Sequence, residues 1–168
     1  MLRQATGFPD EPVTSLSVVS GAATLTLRVR VPNWVAGSPV IQLNGAVLAE
    51  TVIPSAAPGA QAGGWIALRR RWQTGDVLEV TLPMQLVFEP TPDYPAVQAA
   101  LYGPVVLSGV YPASPGDLTP VLDAASVQRT TAQPMAFEAG QAARGKPIRL
   151  IPVSRAAHEY YTVYWQTE

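Results

Sequence analysis

The sequence predicts an all-β protein, an antiparallel and jelly-roll-like β-sandwich followed by a second, smaller β unit. Seventeen prolines and thirteen glycines are spread through the 168 residues and leave little room for long helices. Nevertheless 48 % of the residues are apolar, too many for a disordered chain. Short runs in which apolar and polar residues alternate lie between the prolines and glycines. Such runs are typical of the strands of a sandwich or a barrel.

The first two strands are predicted from this alternation. Residues 13–19 (VTSLSVV) are predicted to form a strand in which Leu16 and Val18 point inward. In residues 25–31 leucine and valine alternate with threonine and arginine, which is the pattern of a half-buried strand. Pro32 ends this strand, because a proline cannot continue a central ladder of hydrogen bonds.

A hairpin is predicted at residues 44–45, where an Asn-Gly pair separates two apolar runs. A type I′ turn needs positive φ angles at both central residues, and asparagine and glycine adopt such angles readily. The register of this turn pairs Leu43 with Ala46 and Ile41 with Leu48.

A second hairpin is predicted between residues 66–72 and 78–82, around a turn at residues 74–76. Its register would place Trp72 opposite Leu78, Arg70 opposite Val80, Leu68 opposite Leu82 and, on the outer face, Arg71 opposite Glu79. Arg70 would then lie on the apolar face. Since burying an unpaired charge costs much free energy, we expect Asp76 or Glu89 to form an ion pair with it.

The rest of the chain has weaker patterns. The prolines that follow Pro83 predict a crossing between sheets, and residues 97–101 and 105–107 resemble strands. Residues 111–116 have the composition of a linker. We therefore expect a sandwich domain at residues 1–110, and a second, smaller or incomplete β unit at residues 111–168 packed on the first.

The final predicted strand, residues 158–165, is rich in aromatic side chains and contains the only histidine of the chain. Alternation places His158, Tyr160, Thr162 and Tyr164 on one face and Glu159, Tyr161, Val163 and Trp165 on the other. We expect Tyr161, Val163 and Trp165 to fill the core of the chain. His158, Tyr160 and Tyr164 should face a loop, a second sheet or another domain.

Several of these segments occur in the same order in one known family. They are residues 27–34 (LRVRVPNW), the turn at 44–45, residues 65–76 (WIALRRRWQTGD), 82–84 (LPM), 100–107 (ALYGPVVL) and 158–165 (HEYYTVYW). This series resembles the C-terminal β-sandwich region of bacterial glycoside hydrolase family 127 (GH127) enzymes, the β-L-arabinofuranosidase-like proteins. The tail of such proteins usually reads His-Glu-Arg-Tyr. Tyr160 stands in place of that arginine here, so any ion pair made by the arginine is absent.

The resemblance implies that this chain is a non-catalytic part of a larger enzyme. The chemistry of the family resides in an N-terminal helical (α/α)6 barrel with a cysteine nucleophile, glutamates and a cysteine-bound zinc. This chain has no cysteine, so no catalytic residue and no metal ligand is carried over, and no cofactor is implied. We expect an accessory β-sandwich region whose main partner is the catalytic barrel of a parent glycoside hydrolase.

Candidate contact residues follow from the predicted faces. Arg28 and Arg30 lie on a presumed outer face and are candidates for a domain interface, as are Arg69 and Arg71. The tail adds three further candidates for such an interface: His158, Tyr160 and Tyr164. Trp34 follows a strand end and Trp65 follows a glycine-rich loop, so both could stack on sugar rings at the surface. A carbohydrate-binding module is therefore the alternative function, with carbohydrate as its partner. An exposed sheet face could also mediate contacts in a homo-oligomer.

Other classes of function have less support. The formal net charge of −1 and the lack of a basic stripe argue against a nucleic-acid partner. No long apolar run predicts a membrane span or a signal peptide, and the localisation stays open. One histidine and scattered carboxylates offer no metal site. They also do not predict the pair of carboxylates, about 5–10 Å apart, that an autonomous glycosidase would need.

Overall fold

The computed structural model describes residues 1–49, 53–54, 63–111, 120–141 and 146–167. Contacts within the chain divide it into two compact units, Met1–Met84 and Gln85–Glu168. Strands and two short 3-10 turns make up the regular structure of the described residues, which confirms the all-β prediction. Neither of these helical turns is long and apolar enough to cross a membrane.

The first unit is a sandwich of two antiparallel sheets. Its described strands are β1 (Leu2–Thr6), β2 (Val13–Val18), β3 (Ala22–Val31), β4 (Val40–Leu43), β5 (Ala46–Leu48), β6 (Ile53–Pro54), β7 (Gly64–Gln73) and β8 (Val77–Thr81). Five of them form a sheet in the order β1-β2-β8-β4-β5, and three form a sheet in the order β3-β7-β6. One core joins the two sheets, with Val18, Ile41 and Leu78 from the first and Ile66 and Trp72 from the second.

The hairpin between β4 and β5 has the predicted turn and the predicted register. Asn44 has a φ of 51° and Gly45 a φ of 81°, as a type I′ turn requires. Leu43 pairs with Ala46, and Ile41 pairs with Leu48. Because the turn residues and the alternation are both local features of the sequence, they were sufficient to predict this hairpin.

The predicted hairpin between β7 and β8 is wrong, because these strands lie in opposite sheets. β7 pairs with β3 and β6, whereas β8 pairs with β2 and β4. The turn between β7 and β8 is hydrogen-bonded to the end of β2. The amide of Gly75 donates to the carbonyl of Val18 (3.0 Å), and the amide of Val18 donates to the carbonyl of Asp76 (2.8 Å). These bonds fix the turn through which the chain crosses from the sheet of β7 to the sheet of β8.

The environment of Arg70 also differs from the prediction. Arg70 does lie on the inward side of β7 but is only half-buried. Its guanidinium carbon is 5.2 Å from the centroid of the Trp72 ring, which is a cation–π contact. Among the described residues of the first unit, no ion pair joins Arg70 to Asp76. Partial exposure and the aromatic ring therefore accommodate the charge, and the predicted ion pair with Asp76 is wrong. Glu89 belongs to the second unit, and the pairing with it stays a prediction.

The second unit is built on one sheet that contains nine described strands. Its described strands are β9 (Leu86–Pro90), β10 (Val97–Tyr102), β11 (Val105–Tyr111), β12 (Val121–Leu122), β13 (Gln128–Arg129), β14 (Phe137–Gln141), β15 (Lys146–Pro152), β16 (Tyr160–Thr162) and β17 (Tyr164–Thr167). The main order is β12-β17-β10-β11-β15-β14-β13, with β9 paired to β10 and β16 paired to β11. The 3-10 turns are Ala124–Ser126 and Val153–Arg155.

The boundary between the compact units lies between Met84 and Gln85, and β10 and β11 pair with strands of the second unit. The domain bounds expected from the sequence, residues 1–110 and 111–168, stay a prediction. Most of the predicted linker at residues 111–116 lies outside the described residues. Whether either unit folds as an independent domain remains a prediction.

The final predicted strand is interrupted at Val163. Tyr160–Thr162 (β16) pairs with β11, and Tyr164–Thr167 (β17) pairs with β10. Trp165 is fully buried in the core of the second unit, as predicted. Tyr161 is 52 % exposed, so its predicted place in the core is wrong. The segment forms two short strands that pair with different strands, so the alternation of faces predicted for residues 158–165 does not continue across Val163.

Candidate functional site

An outer face made by β3 and β7 carries four arginines. The two strands pair along ten residues, so opposed residues share a face of the sheet. The opposed pairs on the outer side are Thr24 with Arg71, Thr26 with Arg69, Arg28 with Ala67, and Arg30 with Trp65. We call Arg28, Arg30, Arg69 and Arg71 the arginine face. All four side chains are exposed.

No negative charge on these strands balances the arginine face. Neither β3 nor β7 contains an aspartate or a glutamate. In the second unit, an ion pair joins Arg149 to Glu159 at 3.1 Å. The arginine face is therefore a cationic surface suited to contact with carboxylates of another molecule or domain.

Trp65 lies at one end of the arginine face, opposite Arg30. Its side chain is 43 % exposed, so it is accessible from solvent. Trp34 is in a different environment. It is half-buried, and its ring stacks on Phe8 with 5.6 Å between ring centroids and 24° between ring planes. It lines a cavity of about 300 Å³ together with Val80 and Leu82. The two tryptophans therefore do not form one platform.

The aromatic tail exposes three tyrosines, Tyr160, Tyr161 and Tyr164. Tyr160 and Tyr161 are neighbours in β16 and point to opposite faces. We call Tyr160 and Tyr164 the tyrosine surface. Tyr160 is 59 % exposed and Tyr164 is 48 % exposed. His158 is also exposed and lies in the bend before β16. The sequence placed Tyr161 in the core. Tyr160 and Tyr161 are both exposed although they point to opposite faces of β16, so neither face of this short strand is covered at these residues.

Among the described residues of the first unit, Asp76 is a buried acid. Its carboxylate accepts hydrogen bonds from the Asn44 side-chain amide (3.0 Å) and from the backbone amide of Gln73 (3.0 Å). These bonds, first that from Asn44, hold the pKa of Asp76 below its ordinary value, and the charge of Arg70 adds to the effect. A general acid needs a raised pKa. Asp76 is therefore an ionised structural residue that ties the β7–β8 turn to the β4–β5 hairpin.

No group of three or more histidines, aspartates and glutamates that could hold a metal ion occurs within the described ranges.

Comparison with known families identifies the first unit. Residues 1–84 match the family model described as β-L-arabinofuranosidase, GH127 middle domain. The chain belongs to the GH127 family. The resemblance noted in the sequence is thereby confirmed, and the matched GH127 domain coincides with the first compact unit.

Solved structures share the fold of this GH127 chain. One is a GH127 β-arabinofuranosidase, with a TM-score of 0.74, 22 % identity and coverage of 99 % of this chain and 31 % of that chain. Another is a GH127 β-L-arabinofuranosidase from Geobacillus stearothermophilus T6, with a TM-score of 0.71, 19 % identity and coverage of 99 % and 30 %. A third is described as a glycoside hydrolase, with a TM-score of 0.68, 18 % identity and coverage of 99 % and 32 %.

The GH127 chain thus spans about 30 % of the length of these enzymes. No curated protein matches it in sequence. The comparisons do not support a carbohydrate-binding module, because the matched model is that of a domain within a glycosidase.

Proposed function

We propose that this chain is the non-catalytic β-sandwich part of a GH127 glycoside hydrolase, which supports and positions a helical catalytic barrel. The observation that carries this proposal is the match of residues 1–84 to a middle domain. A middle domain has other domains of the same enzyme beside it, and the solved enzymes with this fold are about three times as long as the chain.

Two exposed surfaces are suited to contact with a barrel domain. Arginine and tyrosine are enriched at interfaces, because each combines a large contact area with directional hydrogen bonds. The arginine face provides Arg28 and Arg30 on a strand that contains no acidic residue. The tyrosine surface provides Tyr160 and Tyr164. We infer that carboxylates of the barrel bind the former and that a less polar patch of the barrel covers the latter.

The test is assembly with the barrel of the parent enzyme, produced as a separate polypeptide. We expect the two pieces to form a stable complex in size-exclusion chromatography and the complex to melt at a higher temperature than the free barrel. Arg30→Glu should weaken the complex about tenfold, because it replaces an attractive pair by a repulsive one. Arg3→Glu is the matched control, since Arg3 is exposed on the other sheet. Equal loss of binding in both variants would contradict a role for the arginine face.

A second measurement addresses catalysis directly. The purified chain alone should not hydrolyse an aryl β-L-arabinofuranoside, whereas the assembled complex should. Turnover by the chain alone would overturn the proposal and support an autonomous hydrolase instead.

A further inference from the structure

The two sheets of the first unit differ in width. Five described strands form one sheet and three form the other. Two cavities near the edge of the sandwich mark the place where strands of the wider sheet have no strand of the narrower sheet opposite them. Residues of β1 and β2 line them together with β3 and with residues just after β3. β1 and β3, the edge strands of their sheets, thus flank a gap on this side of the unit. We call this gap the edge groove.

Burial decreases toward the edge groove in both sheets. In the five-stranded sheet, Leu78 and Val80 of β8 are fully buried, the residues of β2 are mostly half-buried, and those of β1 are exposed. In the three-stranded sheet, Leu68 of β7 is buried, whereas Leu25 of β3 is 37 % exposed although it points inward. The apolar core is therefore uncovered where a fourth strand beside β3 would lie.

Two apolar cavities lie along the edge groove. One has a volume of about 210 Å³ and is lined by Leu2, Val18, Leu25, Leu27 and Trp72. The other, of about 300 Å³, is lined by Gln4, Phe8, Trp34, Val80 and Leu82. Side chains that point inward from one added strand could enter both cavities, because alternate residues of a strand share a face.

The backbone of β3 is also open on this side. β3 is ten residues long, and no described strand pairs with its outer edge. Every second residue of such an edge presents an N–H and a C=O group to solvent, which makes it a template for a further strand. β3 contains no proline within its bounds, so every residue of it keeps a backbone N–H group. One of its carbonyls, that of Leu25, accepts a hydrogen bond from the indole N–H of Trp72 (3.3 Å).

The positive charge on the outer face of β3 bears on the kind of strand that can pair with it. Residues of an added strand that point outward would lie beside Thr24, Thr26, Arg28 and Arg30. Acidic residues at those positions would pair with Arg28 and Arg30, whereas basic residues would be repelled. The edge groove therefore favours a strand that is apolar on one face and acidic on the other.

We propose that the edge groove binds an extended segment of the parent enzyme's catalytic portion, which adds to β3 as a fourth strand with apolar side chains inward and carboxylates outward. This inference rests on the proposed function for the identity of the partner. It assigns the contact to backbone hydrogen bonding at one edge, in the manner of β-strand addition.

The chemistry of the groove can be tested with a designed peptide and the isotope-labelled chain. The probe is an eight-residue peptide that alternates valine with glutamate, and the control peptide alternates valine with lysine. We expect amide chemical shifts to change at β3 and β1 with the first peptide, and amide exchange in β3 to slow. The lysine peptide should bind at least about tenfold more weakly. Equal binding of both peptides, or no shift at β3 with either, would overturn the proposal.

Variants distinguish the edge from the rest of the arginine face. Arg28→Glu combined with Arg30→Glu should weaken binding of the glutamate peptide about tenfold or more. Arg69→Glu with Arg71→Glu is the matched control, because it makes the same charge change on β7, one strand further from the groove. Leu25→Gln should also weaken binding, since it places an amide in the apolar cavity. A control as damaging as the edge variant would contradict strand addition.

The source of the strand is tested by hydrogen exchange in the parent enzyme. β3 amides should exchange more slowly in the parent than in the isolated chain at any concentration. Protection that appears in the isolated chain only as its concentration rises would identify a second copy as the occupant and overturn the proposal. If the barrel and the chain assemble but β3 stays unprotected, the supporting function stands and the strand addition fails.

Discussion

β3 and β7 pair along ten residues and have similar alternation, yet their inner side chains are buried to different extents. Leu27 of β3 and Leu68 of β7 are direct partners in this register. Leu68 is buried, whereas Leu27 is only half-buried. The difference comes from what lies across the sandwich, not from the strands themselves. Alternation in the sequence therefore identifies the inner face of a strand but does not show whether that face is covered.

The largest expected effect is a loss of folding stability on truncating Leu68, which lies on the buried side of the sandwich. Leu68→Ala should lower the free energy of unfolding by about 3–4 kcal/mol, because it leaves a cavity in a packed core. Leu27→Ala removes the same atoms beside the edge groove and should cost only about 1–2 kcal/mol. Urea denaturation of the two variants measures the difference. Equal losses would show that the core is covered on both sides.

A second prediction concerns acid stability at the β7–β8 turn, which closes the sandwich. The pKa of folded Asp76 is below its ordinary value of 3.8, so the ionised form stabilises the folded state. This contribution is complete above pH 3.8 and is lost as the pH falls through the lowered pKa of the folded state. Asp76→Asn should therefore be less stable than the parent chain at neutral pH, and the difference should shrink in acid. A difference that does not change with pH would contradict this account.

The smallest expected effect is that of charge reversal on the exposed strand. Arg28→Glu with Arg30→Glu should change the unfolding free energy of the isolated chain by less than about 0.5 kcal/mol, since both side chains are exposed and form no ion pair with a described residue. Thermal denaturation at low and high salt measures this. A large destabilisation would mean that these arginines support the fold itself and are not free for a partner.

Sequence predicted most reliably what depends on neighbouring residues. The β4–β5 turn followed from Asn44 and Gly45, and the strand nature of β3 followed from its alternation with Pro32 at its end. Pairing between β7 and β8 could not be predicted in this way. Two strands show the same alternation of inward apolar residues whether they pair in a hairpin or lie in opposite sheets. Here the turn between them is hydrogen-bonded to Val18 of β2, which is distant in the sequence.

In the candidate site, too, the sequence predicted local features but not contacts between distant segments. The exposure of Arg28, Arg30 and Trp65 followed from the outward positions of β3 and β7. The environment of Trp34 did not, because its contact with Phe8 joins segments far apart in sequence. The edge groove depends on the number of strands in each sheet, which is a property of the topology and not of any motif.

One contact of the second unit bears on how sequences of this fold can change. A methyl group at Gly109 would overlap the buried ring of Trp165 and the side chain of Ile148. Residues 109 and 165 therefore share one volume although they lie on strands that are distant in the chain. Substitutions at the two positions should be interdependent, so that a larger residue at 109 is accepted only with a smaller one at 165. Among relatives, such a pair would record the packing of this core as covariation.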